Sequence, residues 1–220
     1  MSESENEQHS FSFVPLKNFV KLSQHNRTVS CIDMDKSGSR MVSGSHDYTM
    51  ALYDFVGMDS SFSPFRFLRP VEGCPIRTTR FSPSGDLILV VAGGSPLLLD
   101  RNGASYMSYV RGDPYLKDMR NTSGHVSAVY DGVWDPANKG AFVTAGQDGT
   151  IRWWSERKKC DQTLVVRSGK GGRNPAVTKV RFLPDSSMVV CASDDGMLRV
   201  YSNKGPWIKP TQVLFLLFVD

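Results

Sequence analysis

Short apolar-spaced segments recur along the chain, each closed by a cluster of turn-forming residues. Val29, Ile32 and Met34 form one such segment, Ile76, Thr79 and Phe81 a second, and Val177, Val180 and Phe182 another. They end at Lys36-Ser37-Gly38, Pro83-Ser84-Gly85 and Pro184-Asp185-Ser186 respectively, and Trp134 followed by Asp135-Pro136 fills the same place in a further copy. Runs this short, bounded by Gly, Pro, Ser and Asp, predict β-strands joined by tight turns. No long amphipathic helical stretch competes with them.

A second mark repeats behind each segment. Small residues lead to an Asp, and an aromatic follows six positions later: Asp47 and Tyr53, Asp148 and Trp154, Asp195 and Tyr201. From Met34, Trp134 and Phe182 the Asp follows after 13, 14 and 13 positions. One unit departs: after Leu87-Ile88-Leu89-Val90-Val91 it has Ala92-Gly93-Gly94-Ser95-Pro96 with no Asp, and it closes on Leu97-Leu98-Leu99-Asp100. Strand-rich units at a spacing of about forty to fifty residues are the signature of a β-propeller, in which no unit buries its apolar face alone. The expected fold is all-β, a partial propeller of about four blades that is open rather than closed. Residues 1–20 read as an acidic tail and 21–205 as blades, with units near 25–60, 73–108, 124–159 and 174–205. Residues 206–220 read as an atypical apolar tail whose run from Val213 to Val219 lacks strand alternation. Left exposed, that tail is an expected aggregation segment.

Composition narrows the function classes. A net charge of +4 is too mild to argue for nucleic acid. The polar start is neither a signal nor a transit peptide, and no apolar run reaches the ~18 residues of a membrane span. Together these point to the nucleus or cytosol and against a membrane partner. Cys31, Cys74, Cys160 and Cys191 lie far apart without metal-type spacing. They read as reduced thiols rather than zinc ligands or disulfides, and no metal or cofactor is expected.

These units resemble WD repeats. His25 precedes Asp47 by 22 positions and Gly124-His125 stands 23 before Asp148. In WD repeats a His, a strand Ser or Thr, the turn Asp and a strand Trp form a hydrogen-bonded chain that pins the blade. The resemblance assigns those places to His125, Thr144, Asp148 and Trp154, and to His25, Ser43, Asp47 and Tyr53. The last unit keeps Asp195 and Tyr201 but lacks the His and has Cys191 where Ser or Thr belongs. The segments between units are similar to those of the WD repeat-containing protein seventy family, also called gastrulation-defective protein one. They include Asp54 to Phe62, Gly112-Asp113-Pro114-Tyr115 and Asp118-Met119-Arg120-Asn121-Thr122, and the similarity covers roughly residues 25 to 200. By that resemblance a WD propeller has about seven blades, so four units read as an incomplete chain, with a true four-bladed propeller as the alternative.

Each candidate for chemistry has a plainer reading beside it. His125, Asp148 and Thr144 suggest a hydrolytic triad, but they occupy positions of a structural device that recurs in part in the first unit. Gly169-Lys170-Gly171-Gly172-Arg173 lacks the order and setting of a phosphate-cradling loop and reads as an inter-blade connection. Glu156-Arg157-Lys158-Lys159 with Arg167, Lys170 and Arg173 reads as a basic patch for an acidic partner, or as a solvated loop. Trp154-Ser155-Glu156-Arg157 is a partial match to the Trp-Asp-x-Arg box of cullin-ligase substrate receptors, with Ser155 in place of Asp. Trp154 and Arg157 are thereby candidate adaptor contacts, or an ordinary strand end.

The expectation is a non-enzymatic protein-interaction scaffold. The resemblance implies nuclear work with a cullin ligase adaptor and chromatin factors, linked to ubiquitination and DNA double-strand-break repair. The alternatives are a general WD-repeat scaffold with no ligase link, or direct nucleic-acid binding through the 156–173 loops.

Overall fold

The computed structural model describes residues 20–116, 118–167, 174–205, 207 and 209–215. Among these the chain forms sixteen strands and no helix. They make four separate antiparallel sheets of four strands, each built from consecutive strands in chain order. The first blade contains β1 (Val29–Met34), β2 (Arg40–Ser45), β3 (Met50–Asp54) and β4 (Arg66–Leu68). The second contains β5 (Ile76–Phe81), β6 (Leu87–Ala92), β7 (Ser95–Asp100) and β8 (Ser105–Ser108). The third contains β9 (Val129–Trp134), β10 (Phe142–Gly146), β11 (Thr150–Trp154) and β12 (Cys160–Val165). The fourth contains β13 (Val177–Phe182), β14 (Met188–Ser193), β15 (Met197–Ser202) and β16 (Gln212–Phe215). This is an open, partial propeller, with the apolar landmarks Met34, Phe81, Trp134 and Phe182 each closing the first strand of a blade.

Local geometry explains the turn signals. Gly38, Gly85, Gly140 and Ser186 take positive φ in the turn after each first strand. In the next turn the residue following the Asp takes it too: Tyr48 at 70°, Gly149 at 71° and Gly196 at 75°. The departing second unit still completes its blade. It replaces the Asp turn with the pair Gly93-Gly94, and β6 and β7 pair without a break from Leu87↔Asp100 to Ala92↔Ser95.

Apolar burial joins the blades. Val42, Met50 and Leu52 of the first pack on Ile76, Ile88 and Val90 of the second. Leu89, Val91 and Leu98 meet Val129, Trp134 and Phe142 of the third. Val143, Ile151 and Trp153 meet Val177, Val180 and Val189 of the fourth. Each side chain so buried contributes about 1.5–3 kcal/mol relative to exposure. Polar links reinforce the seams: Asp33 accepts from the Phe81 backbone N–H at 2.7 Å, and the Trp134 indole donates to the Arg80 carbonyl at 3.0 Å. Asp131, fully buried, ties three blades by accepting from Thr78 (3.0 Å), the Val180 N–H (3.2 Å) and Arg181 (2.6 Å).

The expected boundaries need correction. Three units extend beyond their expected ends, because their fourth strands lie at 66–68, 160–165 and 212–215. The outer strands at 66–68 and 212–215 are short and largely exposed, and in the longer 160–165 only Leu164 is fully buried, so all three carry little of the apolar pattern that marks the inner ones. Residues 212–215 are therefore part of the fourth blade rather than an atypical tail: β16 pairs with β15 from Val200↔Gln212 to Met197↔Phe215. Trp207 stacks on Trp153 of the third blade at 4.5 Å between ring centroids. The acidic segment 1–19, the 169–173 loop and residues 216–220 lie outside the described residues.

Gly44 sits where blades one and two touch. A Cβ there would meet Ile76 Cγ2 at 2.5 Å and Cys31 Sγ at 2.7 Å. Gly44→Ala is expected to cost about 1–3 kcal/mol through overpacking, read as a lower urea midpoint; an unchanged midpoint would show that the seam is looser than described.

Candidate functional site

The polar residues singled out by sequence fall into two groups, one sunk inside blades and one on the loop faces. The third blade holds the fullest set. Its entry is shaped by a chain crossing at Gly112 and Gly124, where a Cβ on either residue would collide with backbone of the other segment. The Gly112 N–H bonds the His125 carbonyl at 2.9 Å, which fixes the approach of His125 to the blade. The Trp154 indole donates to Thr144 Oγ1 at 2.7 Å, and Thr144 Oγ1 lies 2.8 Å from His125 Nε2. His125 Nδ1 lies 3.1 Å from both Asp148 oxygens. One proton arrangement serves every bond: indole N–H to hydroxyl, hydroxyl O–H to Nε2, and Nδ1–H to carboxylate. Asp148 also accepts from the Val126 and Thr150 N–H groups at 3.1 and 3.0 Å and from the Thr150 hydroxyl at 2.7 Å. Burial works against its charge, but the His125 imidazole, the Thr150 hydroxyl and Arg152 outweigh it and hold the carboxyl at about 2.

The first blade repeats the arrangement more loosely. His25 Nε2 lies 2.8 Å from Ser43 Oγ, and Nδ1 lies 3.0 Å from Thr49 Oγ1 and 3.4 Å from Asp47 Oδ2. Asp47 accepts from the Asn26 N–H at 2.8 Å and from the Thr49 N–H at 2.9 Å. Burial again opposes its charge, while Thr49, the two N–H groups and His25 keep its carboxyl at about 2. Tyr53 is buried and hydrogen-bonded to Ser43, with burial pushing its phenol up.

The fourth blade solves the same problem with a different cation. Arg199 bonds Asp195 at 2.5 and 3.1 Å and reaches Ser193 Oγ at 3.0 Å. This pair stands where a His would otherwise hold the Asp, and it keeps the Asp195 carboxyl low. Cys191 and Tyr201 are buried beside it, and desolvation pushes the thiol and the phenol each up to about 12. Such a thiol is protonated and inert. All four cysteines are free, and no metal-holding group of His, Cys, Asp or Glu occurs among the described residues.

Arg152 was not singled out from sequence, yet it organises the long connection before the third blade. Fully buried, it donates to the carbonyls of Thr122 and Met119, each at 2.9 Å, to Thr122 Oγ1 at 2.5 Å and to Thr163 Oγ1 at 3.2 Å. Tyr109 adds a second anchor, donating to the Ser155 carbonyl at 2.6 Å and packing edge-on against Trp154 and Phe142. An Arg four positions after a turn Asp, also present as Arg199, was the available sequence signal.

The loop-face group does not form one basic patch. Arg157, Lys158 and Lys159 are exposed on the hairpin between β11 and β12, whereas the exposed Arg167 follows the other end of β12. Six residues of strand separate them by roughly 20 Å. The expected single patch over 156–173 is thus divided, because neighbours in sequence lie at opposite ends of a blade; Lys170 and Arg173 lie outside the described residues. Trp154 is buried in the network while Arg157 projects three residues later from the hairpin. The triad reading of His125, Asp148 and Thr144 fails on access. All three side chains are sealed from solvent and every bond among them is spent on the blade.

Known proteins match this architecture. The family model for the WD domain, G-beta repeat, matches residues 16–54, 116–155 and 160–202. The unit it passes over is the second blade, which has the Gly93-Gly94 turn in place of the Asp. The chain is 36% identical over 200 residues to a gastrulation defective protein 1 homolog of Drosophila melanogaster, covering 90% of this chain and 30% of the relative. It is 35% identical over 190 residues to WD repeat-containing protein 70 of Homo sapiens (86% and 29%) and 38% identical over 192 residues to that of Xenopus laevis (86% and 30%). The chain thus spans about 30% of the length of the curated relatives it matches.

A carboxyl held below its unfolded value stabilises the fold above that value, and the contribution drains away as pH falls from 3.8 towards 2. For the sealed Asp148 this amounts to about 2 kcal/mol. In urea unfolding across pH 4 to 2, Asp148→Asn should lose stability less steeply than the parent chain; parallel slopes would remove Asp148 as the origin. Arg152→Leu should cost about 2–4 kcal/mol by stranding buried carbonyls and should open Met119–Thr122 to limited proteolysis, a cleavage pattern that mass spectrometry reads directly.

Proposed function

This chain belongs to the WD-repeat family, and from that membership we propose that it works as a non-enzymatic scaffold presenting its turns and inter-blade loops to other proteins. One observation supports this above the rest. The side chains with catalytic potential, His125 and Asp148 foremost, are enclosed within a blade and matched donor to acceptor. What remains for recognition is loop surface carried on a rigid frame.

The specific role proposed is nuclear: a substrate-receptor-like part of a cullin ubiquitin ligase, acting on chromatin during double-strand-break repair. The similarity to the WD repeat-containing protein 70 relatives suggests it, and Arg157 supplies a contact of the right kind. It projects from the β11–β12 hairpin just beyond Trp154, where a guanidinium is free to meet an acidic adaptor surface. Ser155 stands in the box where an Asp is expected, and its carbonyl is held by Tyr109, so the hairpin is positioned by a different anchor.

Direct nucleic-acid binding is the second reading, favoured by exposed Lys158 and Lys159 and opposed by the division of the basic residues between blade ends. Co-purification of the full chain with a cullin adaptor, lost on Arg157→Ala while the melting temperature is unchanged, is the expected result. Adaptor capture indifferent to Arg157 would remove the box, and affinity for DNA or RNA that falls steeply with salt would favour the second reading instead.

A further inference from the structure

Two adjoining hollows lie at the end of the first three blades where the first inter-strand turns gather. One, of about 330 Å³, is lined by Asp35, Lys36, Ser37, Ser84 and Arg101 among others. The other, of about 410 Å³, is lined by Met34, Phe81, Val133 and Trp134 with Arg80. They share Lys36 and Pro83, so a polar hollow opens directly beside an apolar one.

The charges are not balanced within this groove. Asp35 is occupied by its own turn, accepting from the Arg40 N–H at 3.0 Å and from Ser37 and Ser39 at 2.6 and 3.0 Å. Asp33 is occupied by the Phe81 N–H and by Arg80 at 3.5 Å. Against these two committed acids stand Lys36 and Arg101, both exposed and without an ion-pair partner among the described residues. Arg80 adds a buried Nε with no hydrogen-bond partner. The apolar half keeps Met34 49% exposed, beside the buried Phe81 and Trp134. Uncompensated cations next to an open apolar floor call for a ligand that carries both complements.

We propose that this groove docks a short acidic–apolar peptide segment of a partner protein, with a carboxylate against Lys36 and Arg101 and an apolar side chain over Met34 and Phe81. The proposal rests on the scaffold reading and names the chemistry of one partner; it is independent of the ligase assignment. Carboxylates suit the polar half because the two cations stand apart on separate turns. The apolar half distinguishes a peptide from a nucleic-acid backbone, which would leave Met34 uncovered.

The test is fluorescence anisotropy of the full chain with a labelled decapeptide alternating Glu with Leu or Phe. Two comparison peptides replace either the Glu by Ser or the apolar residues by Ser, and a single-stranded oligonucleotide is the third comparison. The alternating peptide should bind, and each comparison peptide should bind more weakly. Lys36→Glu and Arg101→Glu should each weaken it by about tenfold, and Met34→Asp should do the same. Arg27→Glu, on an exposed residue preceding β1 at the opposite blade end, should leave affinity unchanged, and unaltered melting of all four variants confirms folding. Absence of peptide binding, affinity indifferent to Lys36 and Arg101, or tighter binding of the oligonucleotide overturns the proposal. Continued co-purification of protein partners with Lys36→Glu would then show that the scaffold reading survives without this groove.

Discussion

No blade in this protein can shield its own apolar surface, and the rest of the structure follows from that constraint. A four-stranded sheet presents two faces, and here the inner ones are stacked in sequence: Met50 on Ile76, Leu89 on Val129, Val143 on Val177. Because the contact is face to face, the seams are where small changes matter most. Gly44 is held to a bare hydrogen by Ile76 and Cys31, and Asp131 of the third blade is worth its burial only because the blades on both sides of it supply donors at once.

In three of the four blades a turn carboxylate, sealed in the third and open to solvent in the fourth, must be matched, and the chain has more than one way to do it. The third blade uses imidazole, hydroxyl and indole in a single directed chain. The first uses imidazole with two hydroxyls. The fourth has no histidine, and Arg199 closes on Asp195 instead. The second discards the carboxylate and turns on two glycines. What is common to all four is therefore a satisfied turn rather than a fixed residue set, and this explains why the family model recognises three units while the sheets number four.

Rigidity in the blades has a consequence for recognition. Arg152 and Tyr109 clamp the Tyr109–Thr122 connection to the third blade, so that Tyr115, 92% exposed, is displayed from an anchored backbone. The turns at the blade ends are similarly ordered by their own carboxylates, as Asp35 and Asp135 show. Surfaces ordered before binding lose little entropy on association.

Repeat spacing, turn chemistry and the Asp-to-aromatic interval were enough by themselves to define strands and blades, while the places of His125, Thr144, Asp148 and Trp154 came from the resemblance to WD repeats. These are local or periodic properties, set by φ, by strand alternation and by hydrogen-bonding capacity. The outer strands were not legible, since Arg66–Leu68 and Gln212–Phe215 are exposed and carry no burial pattern. Nor were the roles of Arg152 and Asp131, whose partners lie up to 53 residues away, whereas Arg199 meets Asp195 only four positions before it. Only the tertiary structure separated Arg157 from Arg167 and brought Lys36, Arg101 and Met34 to one groove. A strand places sequence neighbours at opposite ends of a sheet, while the stacking of successive blades gathers distant turns side by side.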